Sequence, residues 1–319
     1  MKKQFTVVMT DYQYETIEPI RSRLEQEGVA FESYQCKTQE EIISAVREAD
    51  AVITHFAPIT EEVISQMHRC RLIVRGAVGV ENIDVAAAKQ YGIPVANVPD
   101  YGRDDVANHV LMLILALNKK VCLLNKNVKL GRWNFKDAKP IYRLQGKTIG
   151  LLGFGGIARL VAKKCRAFDM QVQAYDPFIP AAIARQAQVP LKTLDELLAT
   201  SDYLSVHMPL TPQTQHLLDD AAFAKMKPGS VLINTARGGI VDESALVRAL
   251  RSSHLAGAGL DVLTDECIPE GHPFRRMENV ILTPHSAWYS EESSEILLSS
   301  VAEEVLEAIQ GRPIKNLVT

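Results

Sequence analysis

Three short loops in the last third of the chain carry the residue types that proton transfer at a carbon–oxygen bond requires. They read Asn234-Thr-Ala-Arg-Gly-Gly239, Asp261-Val-Leu-Thr-Asp-Glu266 and Leu282-Thr-Pro-His-Ser-Ala-Trp-Tyr-Ser290. Each offers one candidate: Arg237, Glu266 and His285. A guanidinium can grip a carboxylate in a bidentate fork, an imidazole can exchange the proton of an alcohol or carbonyl, and a carboxylate can hold that imidazole in one tautomer. Singly, each also has a plainer reading. Arg237 could cap a strand end, His285 after proline could sit in a surface turn, and Glu266 lies beside Asp265 in an acidic loop. Their succession is what points to a site.

A second constellation lies upstream. Gly150-Leu-Leu-Gly-Phe-Gly-Gly-Ile-Ala158 is a glycine-rich turn entered by the apolar run 148–152 and left by a helical pattern over 157–167. The form Gly153-x-Gly155-x-x-Ala158 suits a dinucleotide pyrophosphate: a tight turn, close approach of backbone to phosphate, and close helix–strand packing at a positive helix end. A glycine-rich turn can also mark only a tight connection between strand and helix. Asp176, 23 residues after Gly153 at the end of the strand-like run 171–175, occupies the expected place of the acid that binds the adenosine ribose hydroxyls and repels a 2′-phosphate. Pro177 and Phe178 follow, bringing no arginine for that phosphate. The carrier expected is therefore NAD rather than NADP.

The elements that must position these residues alternate between strand and helix from end to end, which implies parallel sheets covered by helices. Strand-like runs fall at 5–9, 51–54, 72–74 and 94–97, then at 148–152, 171–175, 203–207, 230–234, 257–262 and 280–283. Helical patterns cover 16–27, ended by Gly28, and 38–48, where Thr38 and Glu41 have the spacing of a capping box. The pattern 104–120 is a long, very apolar helix, readable as core or as subunit interface. The stretch 125–144 is polar, holds Trp133 and Phe135, and lacks periodicity. A final amphipathic helix spans 291–310.

Composition frames these motifs. The 319 residues, 47% hydrophobic and 23% charged, suffice for about two domains with cores, and a net charge of −3 makes no electrostatic case for nucleic acid or an anionic membrane. The apolar run 110–117 is far short of a bilayer span, and Lys2 and Lys3 precede a run too brief for a signal peptide. A cytoplasmic protein is expected. Cys36, Cys70, Cys122, Cys165 and Cys267 are odd in number, scattered and free of C-x-x-C spacing, so neither disulfides nor a metal site are expected.

With these motifs in order, the chain resembles the NAD-dependent D-2-hydroxyacid dehydrogenases, the family of D-3-phosphoglycerate, glycerate and D-lactate dehydrogenases and of the C-terminal-binding-protein corepressors. The likeness runs over essentially the whole chain. It includes Val74-Arg-Gly-Ala-Val-Gly79, Asn82-Ile-Asp84, Gly92-Ile-Pro-Val-Ala-Asn-Val-Pro99, the glycine turn, Tyr175-Asp-Pro177, His207-Met-Pro-Leu-Thr211 and the three loops. Tyr101-Gly-Arg-Asp-Asp-Val-Ala107 and 284–290 are most like the corepressor branch.

The resemblance implies an α/β fold of two Rossmann- or flavodoxin-like domains: a discontinuous substrate domain (1–99 and 290–319) and an NAD domain (100–289) inserted into it, with the active site in the cleft. It implies His285 as general acid and base, Glu266 as its partner and Arg237 as the clamp on carboxylate and carbonyl. Arg75, Val78 and Gly79 would hold the substrate carboxylate, and Trp288 could line a side-chain pocket, although Arg75 and Arg103 could equally meet a phosphate. Gly153, Gly155, Gly156, Ile157, Asp176, His207, Pro209, Thr214, Thr235, Ala236 and Asp261 would contact NAD. The partners implied are a small 2-keto or 2-hydroxy acid and a second copy of the chain, joined through the NAD domain. No further domain is expected, and with it no feedback by serine of the kind seen in longer relatives.

Three positions depart from the family pattern: Asn108 replaces an acid, Ala158 a glycine, and Cys267 the proline that often follows Glu266. The activity expected is interconversion of a D-2-hydroxy acid and a 2-keto acid. The alternatives are an NAD-sensing interaction protein and, more remotely, a formate dehydrogenase relative.

Overall fold

The computed structural model describes residues 5–318. Lys2 and Lys3 lie outside the described residues. The chain divides into two compact units, Met1–Tyr101 with Ser290–Thr319, and Gly102–Tyr289.

The first unit runs β1 (Thr6–Met9), α1 (Glu18–Gln26), β2 (Ala30–Ser33), α2 (Gln39–Val46), β3 (Ala51–Thr54), α3 (Glu61–Ser65), β4 (Ile73–Arg75), α4 (Val85–Gln90) and β5 (Val95–Ala96). Its strands form one parallel sheet in the order β2-β1-β3-β4-β5. Val8, Val52, Ile53, Ile73 and Val74 are almost wholly buried, the pattern of strands covered on both faces. Thr38 and Glu41 close the expected capping box at the start of α2. The edge strand β2 was not expected, because Ala-Phe-Glu-Ser carries neither an apolar run nor a clean alternation.

The second unit runs α5 (Arg103–Lys119), α6 (Val121–Lys129), β6 (Thr148–Leu152), α7 (Gly156–Arg166), β7 (Gln171–Tyr175), α8 (Ala181–Gln186), α9 (Leu194–Thr200), β8 (Tyr203–Val206), α10 (Asp220–Lys225), β9 (Ser230–Asn234), α11 (Glu243–Arg251), β10 (Leu255–Leu260) and β11 (Val280–Leu282). The six strands are parallel in the order β11-β10-β9-β8-β6-β7. The chain then returns to the first unit with α12 (Glu291–Ile309), which packs on α1 and β4 through a face that includes Leu297, Val301 and Val305.

Two expectations are resolved here. The apolar face of α5, with Ala107, Val110, Leu113 and Ile114, is core, packed in one cluster with Ile149, Val161 and Ile233. The stretch 125–144 is not structureless throughout: α6 occupies its start and a 3-10 turn, Phe135–Ala138, its middle. Lys120, at φ 51°, breaks α5 from α6. Exposed apolar side chains gather in this segment, where Leu130, Trp133, Phe135 and Tyr142 are each more than half exposed. Among the described residues no single helix is long and apolar enough to cross a membrane; α5 and α6 pass that test only as a pair bent by 58°. All five cysteines are free.

Candidate active site

In the second unit the switch point of the sheet lies between β6 and β8, and ligands of such sheets bind outside the carboxyl ends of the strands there. The glycine turn sits at that point. Gly153 has φ 97°, and a Cβ on it would lie 2.6 Å from the carbonyl oxygen of His207. A side chain is therefore excluded both by backbone conformation and by the loop after β8. Gly155 precedes the first residue of α7 and opens onto free space, while the side chain of Arg103 lies over Gly156, its Nε 2.9 Å from where a Cβ would stand. No side chain caps α7. The first N–H groups of this 11-residue helix, those of Gly156 and Ile157 included, thus keep the donor capacity that helix ends leave unsatisfied.

Asp176 ends β7. Its Oδ2 accepts from Phe154 N within the glycine turn at 2.9 Å, and its Oδ1 accepts from Phe178 N and Ile179 N at 2.9 and 3.0 Å. The acid is thus both a turn-forming aspartate and a fixed neighbour of the glycine turn.

His207 follows β8. Its Nε2 lies 2.9 Å from Ser205 Oγ, and burial pushes its pKa down to about 4, so the ring is neutral at pH 7. Thr214 closes its own turn: its hydroxyl donates to Pro209 O at 2.7 Å and accepts from Thr211 N at 2.8 Å.

Thr235 and Ala236 follow β9. Asn234 holds this loop, accepting from Ala236 N at 3.0 Å and donating to Arg237 O at 2.9 Å. Among the described residues Thr235 Oγ1 is a buried hydroxyl without a hydrogen-bond partner, a group that a ligand would satisfy. The uncapped helix end, the guanidinium beside it, the fixed acid and this orphaned hydroxyl suit a dinucleotide: phosphates at α7, a ribose at Asp176.

Arg237, Glu266 and His285 follow β9, β10 and β11, which are neighbours in the sheet. Their loops are interlocked. A Cβ on Gly238 would lie 2.0 Å from the carbonyl carbon of Leu263, so only glycine lets the Arg237 loop lie against the loop that leads to Glu266. Glu243 braces the same loop by accepting from Thr264 N at 2.6 Å. Arg237 donates to Ala236 O at 2.7 Å. His285 Nδ1 is hydrogen-bonded to Glu266 Oε1. With Nδ1 taken, Nε2 is the nitrogen left for a substrate proton.

What holds His285 was not visible in its own motif. The residue has φ 52°, a left-handed conformation costing about 1–2 kcal/mol for a residue with a Cβ. Its N–H donates to Asp261 O at 2.8 Å. Asp261, 2% exposed, accepts from Thr283 Oγ1 (2.6 Å) and Ser286 N (3.0 Å) on Oδ1, and from Ala287 N (2.9 Å) on Oδ2. Hydrogen bonds to a charged acceptor contribute about 1.5–3 kcal/mol each, so this set outweighs the strain. The buried carboxylate is a positioning group for His285. His109, on α5, extends the network, its Nε2 2.9 Å from Thr283 Oγ1. Burial drives its pKa down, more than nearby Asp261 raises it.

Trp288 is half-buried, meets Tyr289 edge-on at 5.6 Å, and would touch any side chain placed on Gly102.

In the first unit Arg75 ends β4 and is largely engaged by its own loop. Nη1 donates to Gly79 O at 2.6 Å and to Glu81 at 3.1 Å, and Nε donates to His55 O at 3.1 Å. Val78, 45% exposed, lies in the loop so formed, which Val98 N pins at Ala77 O with a 3.0 Å bond. The charge expected to face a substrate carboxylate is already paired with Glu81, and the open part of the loop is the Val78–Gly79 segment.

Two parallel α/β sheets and a glycine turn beside an Arg–Glu–His edge define a dinucleotide-binding protein equipped for proton transfer. The chain belongs to the D-isomer specific 2-hydroxyacid dehydrogenase family: residues 111–287 match its NAD binding domain. It is 38% identical over 292 residues to D-3-phosphoglycerate dehydrogenase of Archaeoglobus fulgidus, covering 91% of this chain and 55% of that one. To glycerate dehydrogenase of Methylorubrum extorquens it is 35% identical over 288 residues, covering 88% of this chain and 89% of that one. The structure of D-lactate dehydrogenase from Aquifex aeolicus complexed with NAD and lactic acid matches with TM-score 0.87 at 30% identity, covering 98% of each chain. The chain spans about half the length of the phosphoglycerate dehydrogenases it matches.

Proposed function

We propose that the protein interconverts a D-2-hydroxy acid and a 2-keto acid with NAD(H). The observation that carries this reading is the hydrogen bond between His285 and Glu266 at the carboxyl edge of a sheet that also bears the glycine turn. When bound, the nicotinamide supplies or accepts the hydride. The chain's own residues handle the proton and the charge. In the reductive direction His285 Nε2 donates a proton to the oxygen formed at C2, and Glu266 stabilises the ring through Nδ1 while the transfer proceeds. Asp261 and Thr283 hold the histidine loop in place. Arg237 binds the carboxylate and the carbonyl oxygen as a two-pronged donor. Gly155, Gly156, Ile157 and Arg103 meet the pyrophosphate, Asp176 the adenosine ribose, and Thr235, Ala236, His207, Pro209 and Thr214 line the rest of the cofactor's path. The acid at 176 favours NAD over NADP.

Steady-state NADH oxidation over a panel of 2-keto acids tests the reading. His285→Ala should lose about 10³-fold in kcat while still binding NADH, measured by fluorescence titration. Equal activity in variant and parent would remove the mechanism. The exposed apolar side chains between α6 and β6 support a homodimer joined through this unit, and the free cysteines support a reducing compartment such as the cytoplasm.

A further inference from the structure

Glu266 stands on a loop that does little by itself to orient an imidazole. Residues 265–271 form neither strand nor helix, and the Glu266 side chain is more than half exposed, so packing does not hold it. What holds the loop lies at its two ends, and both ends meet one carboxylate. Glu243, the first residue of α11, accepts from Thr264 N on Oε1 at 2.6 Å, and its Oε2 lies 3.1 Å from His272 Nε2. Thr264 is two residues before Glu266 and His272 six residues after it.

Both partners of this clasp are themselves fixed. His272 Nδ1 accepts from Phe274 N at 3.3 Å, so the neutral ring carries its proton on Nε2 and donates it to Glu243. Pro273, with its preset φ, opens the 3-10 turn Pro273–Arg276 that His272 caps. Phe274, 2% exposed, lies 4.8 Å from the His272 ring and packs in one cluster with Leu246 and Leu250 of α11. Glu243 is placed by Asp242, which caps α11 by accepting from Ala245 N at 3.0 Å. Only the 3-10 turn Gly238–Ile240 and Val241 separate Asp242 from Arg237. The Glu243 and His272 side chains are each 20% exposed, which shields their hydrogen bond from the screening that weakens surface pairs.

We infer that Glu243 and His272 are positioning residues for the proton transfer: their clasp closes the loop that carries Glu266 and so sets how Glu266 meets His285 Nδ1. The same carboxylate ties that loop to the helix that follows Arg237, which keeps the two loops in step. Misplacing a catalytic group by about 1 Å can cost on the order of 10²-fold in rate, so a brace of this kind acts on turnover without touching the substrate. The inference rests on the dehydrogenase reading and adds two residues to its machinery.

The test compares His272→Ala, His272→Gln and Glu243→Ala, with Glu266→Gln as reference. Glutamine keeps an N–H donor for Glu243 and alanine does not. The first readout is 15N-histidine NMR without cofactor or substrate; the chain has 8 histidines, and the His285 signals are assigned by their loss in His285→Asn. In Glu266→Gln the pH midpoint of His285 should move down, because the imidazolium loses its anionic partner. Both alanine variants should follow it at least halfway, and His272→Gln should stay within about 0.2 of the parent. The second readout is turnover with NADH and the best 2-keto acid of the panel. There kcat should fall about tenfold in the alanine variants with NADH affinity unchanged, and His272→Gln should recover most of it. A clasp that only supports the fold would lower the unfolding midpoint of the alanine variants and leave the His285 midpoint and kcat at parental values. That result, or alanine and glutamine behaving alike at 272, overturns the inference. Should Glu243→Ala not fold, the two His272 variants decide. A parent without turnover on any 2-keto acid removes the dehydrogenase reading, and the NMR midpoints then decide the clasp alone.

Discussion

The two sheets share a parallel, doubly wound plan and differ in what the chain places at the switch point. In the second unit that point holds Gly153, pressed against the His207 carbonyl, and the backbone donors of α7. In the first it holds Tyr14, His55 and Phe56. One edge is made of backbone and small residues, which suits an anion that must come close; the other is made of rings, which suits carbon. Topology fixes where a ligand goes, and the few side chains on the loops fix which ligand that is.

The sharpest way to break the comparison is at Gly238. A methyl group there would lie 2.0 Å from backbone carbon, so the loops of Arg237 and Glu266 would have to separate. Gly238→Ala should cost about 3 kcal/mol in thermal or denaturant unfolding and abolish keto-acid turnover. The contrasting substitution is Phe56→Ala, at an exposed side chain of the first unit's edge, where the unfolding free energy stays within about 0.5 kcal/mol of the parent. Near-parental activity in Gly238→Ala would show that the second unit's edge is as forgiving as the first's.

Asp176→Asn should act more mildly. The amide keeps one acceptor for the turn, but loses the negative charge that disfavours a 2′-phosphate. The NADH-to-NADPH ratio of kcat/KM should fall by about tenfold, through weaker NADH and stronger NADPH use. An unchanged ratio would confine Asp176 to its three backbone contacts with Phe154, Phe178 and Ile179.

Much of this plan was legible because it is local. Val7-Val8, Val52-Ile53 and the core runs of the second sheet announce buried strands, Thr38 and Glu41 announce a helix start, and Gly153 to Ala158 with Asp176 announces a dinucleotide turn. The catalytic candidates stood out because each sits in a loop directly after a strand. What escaped depends on partners distant in sequence. The role of Asp261 becomes visible only when its oxygens meet N–H groups more than twenty residues away, at Ser286 and Ala287. Nothing in its own stretch of sequence singles out His109, since its partner Thr283 lies 174 residues on. The Tyr14–His55 stack joins loops that follow different strands. The helix α6 was missed because Asn125, Lys126 and Asn127 dilute its apolar face, and its separation from α5 rests on one left-handed lysine. Arg75 was expected at a substrate carboxylate from its motif; that it also pairs with Glu81 could not be read from either residue type alone.

The smallest expected effect is a pH dependence confined to the second unit. His207 has its pKa pushed down to about 4, and that of His109 is also lowered, in both cases first by burial. An unfolded histidine titrates near 6.5. Above that pH both states are neutral and nothing is lost. As pH falls from about 6.5 toward 4, the unfolded chain takes up protons that the folded chain refuses, so stability declines; below 4 His207 protonates in both states and its share of the slope ends. A buried group shifted this far contributes about 2 kcal/mol once partial contact with solvent is allowed for. Carboxylates held below their usual range add a loss of the same sign at lower pH, so the parent curve alone does not isolate the histidine. His207→Asn does, because it keeps a polar partner for Ser205 without a group that titrates there. The difference in unfolding free energy between parent and His207→Asn, measured without cofactor, should change by about 2 kcal/mol between pH 7 and pH 4.5 and stay flat above 7. A difference constant across the whole range would mean that the ring beside the glycine turn is protonated in the folded state as readily as in the unfolded one, and that the edge of the second sheet is wetter than its packing implies.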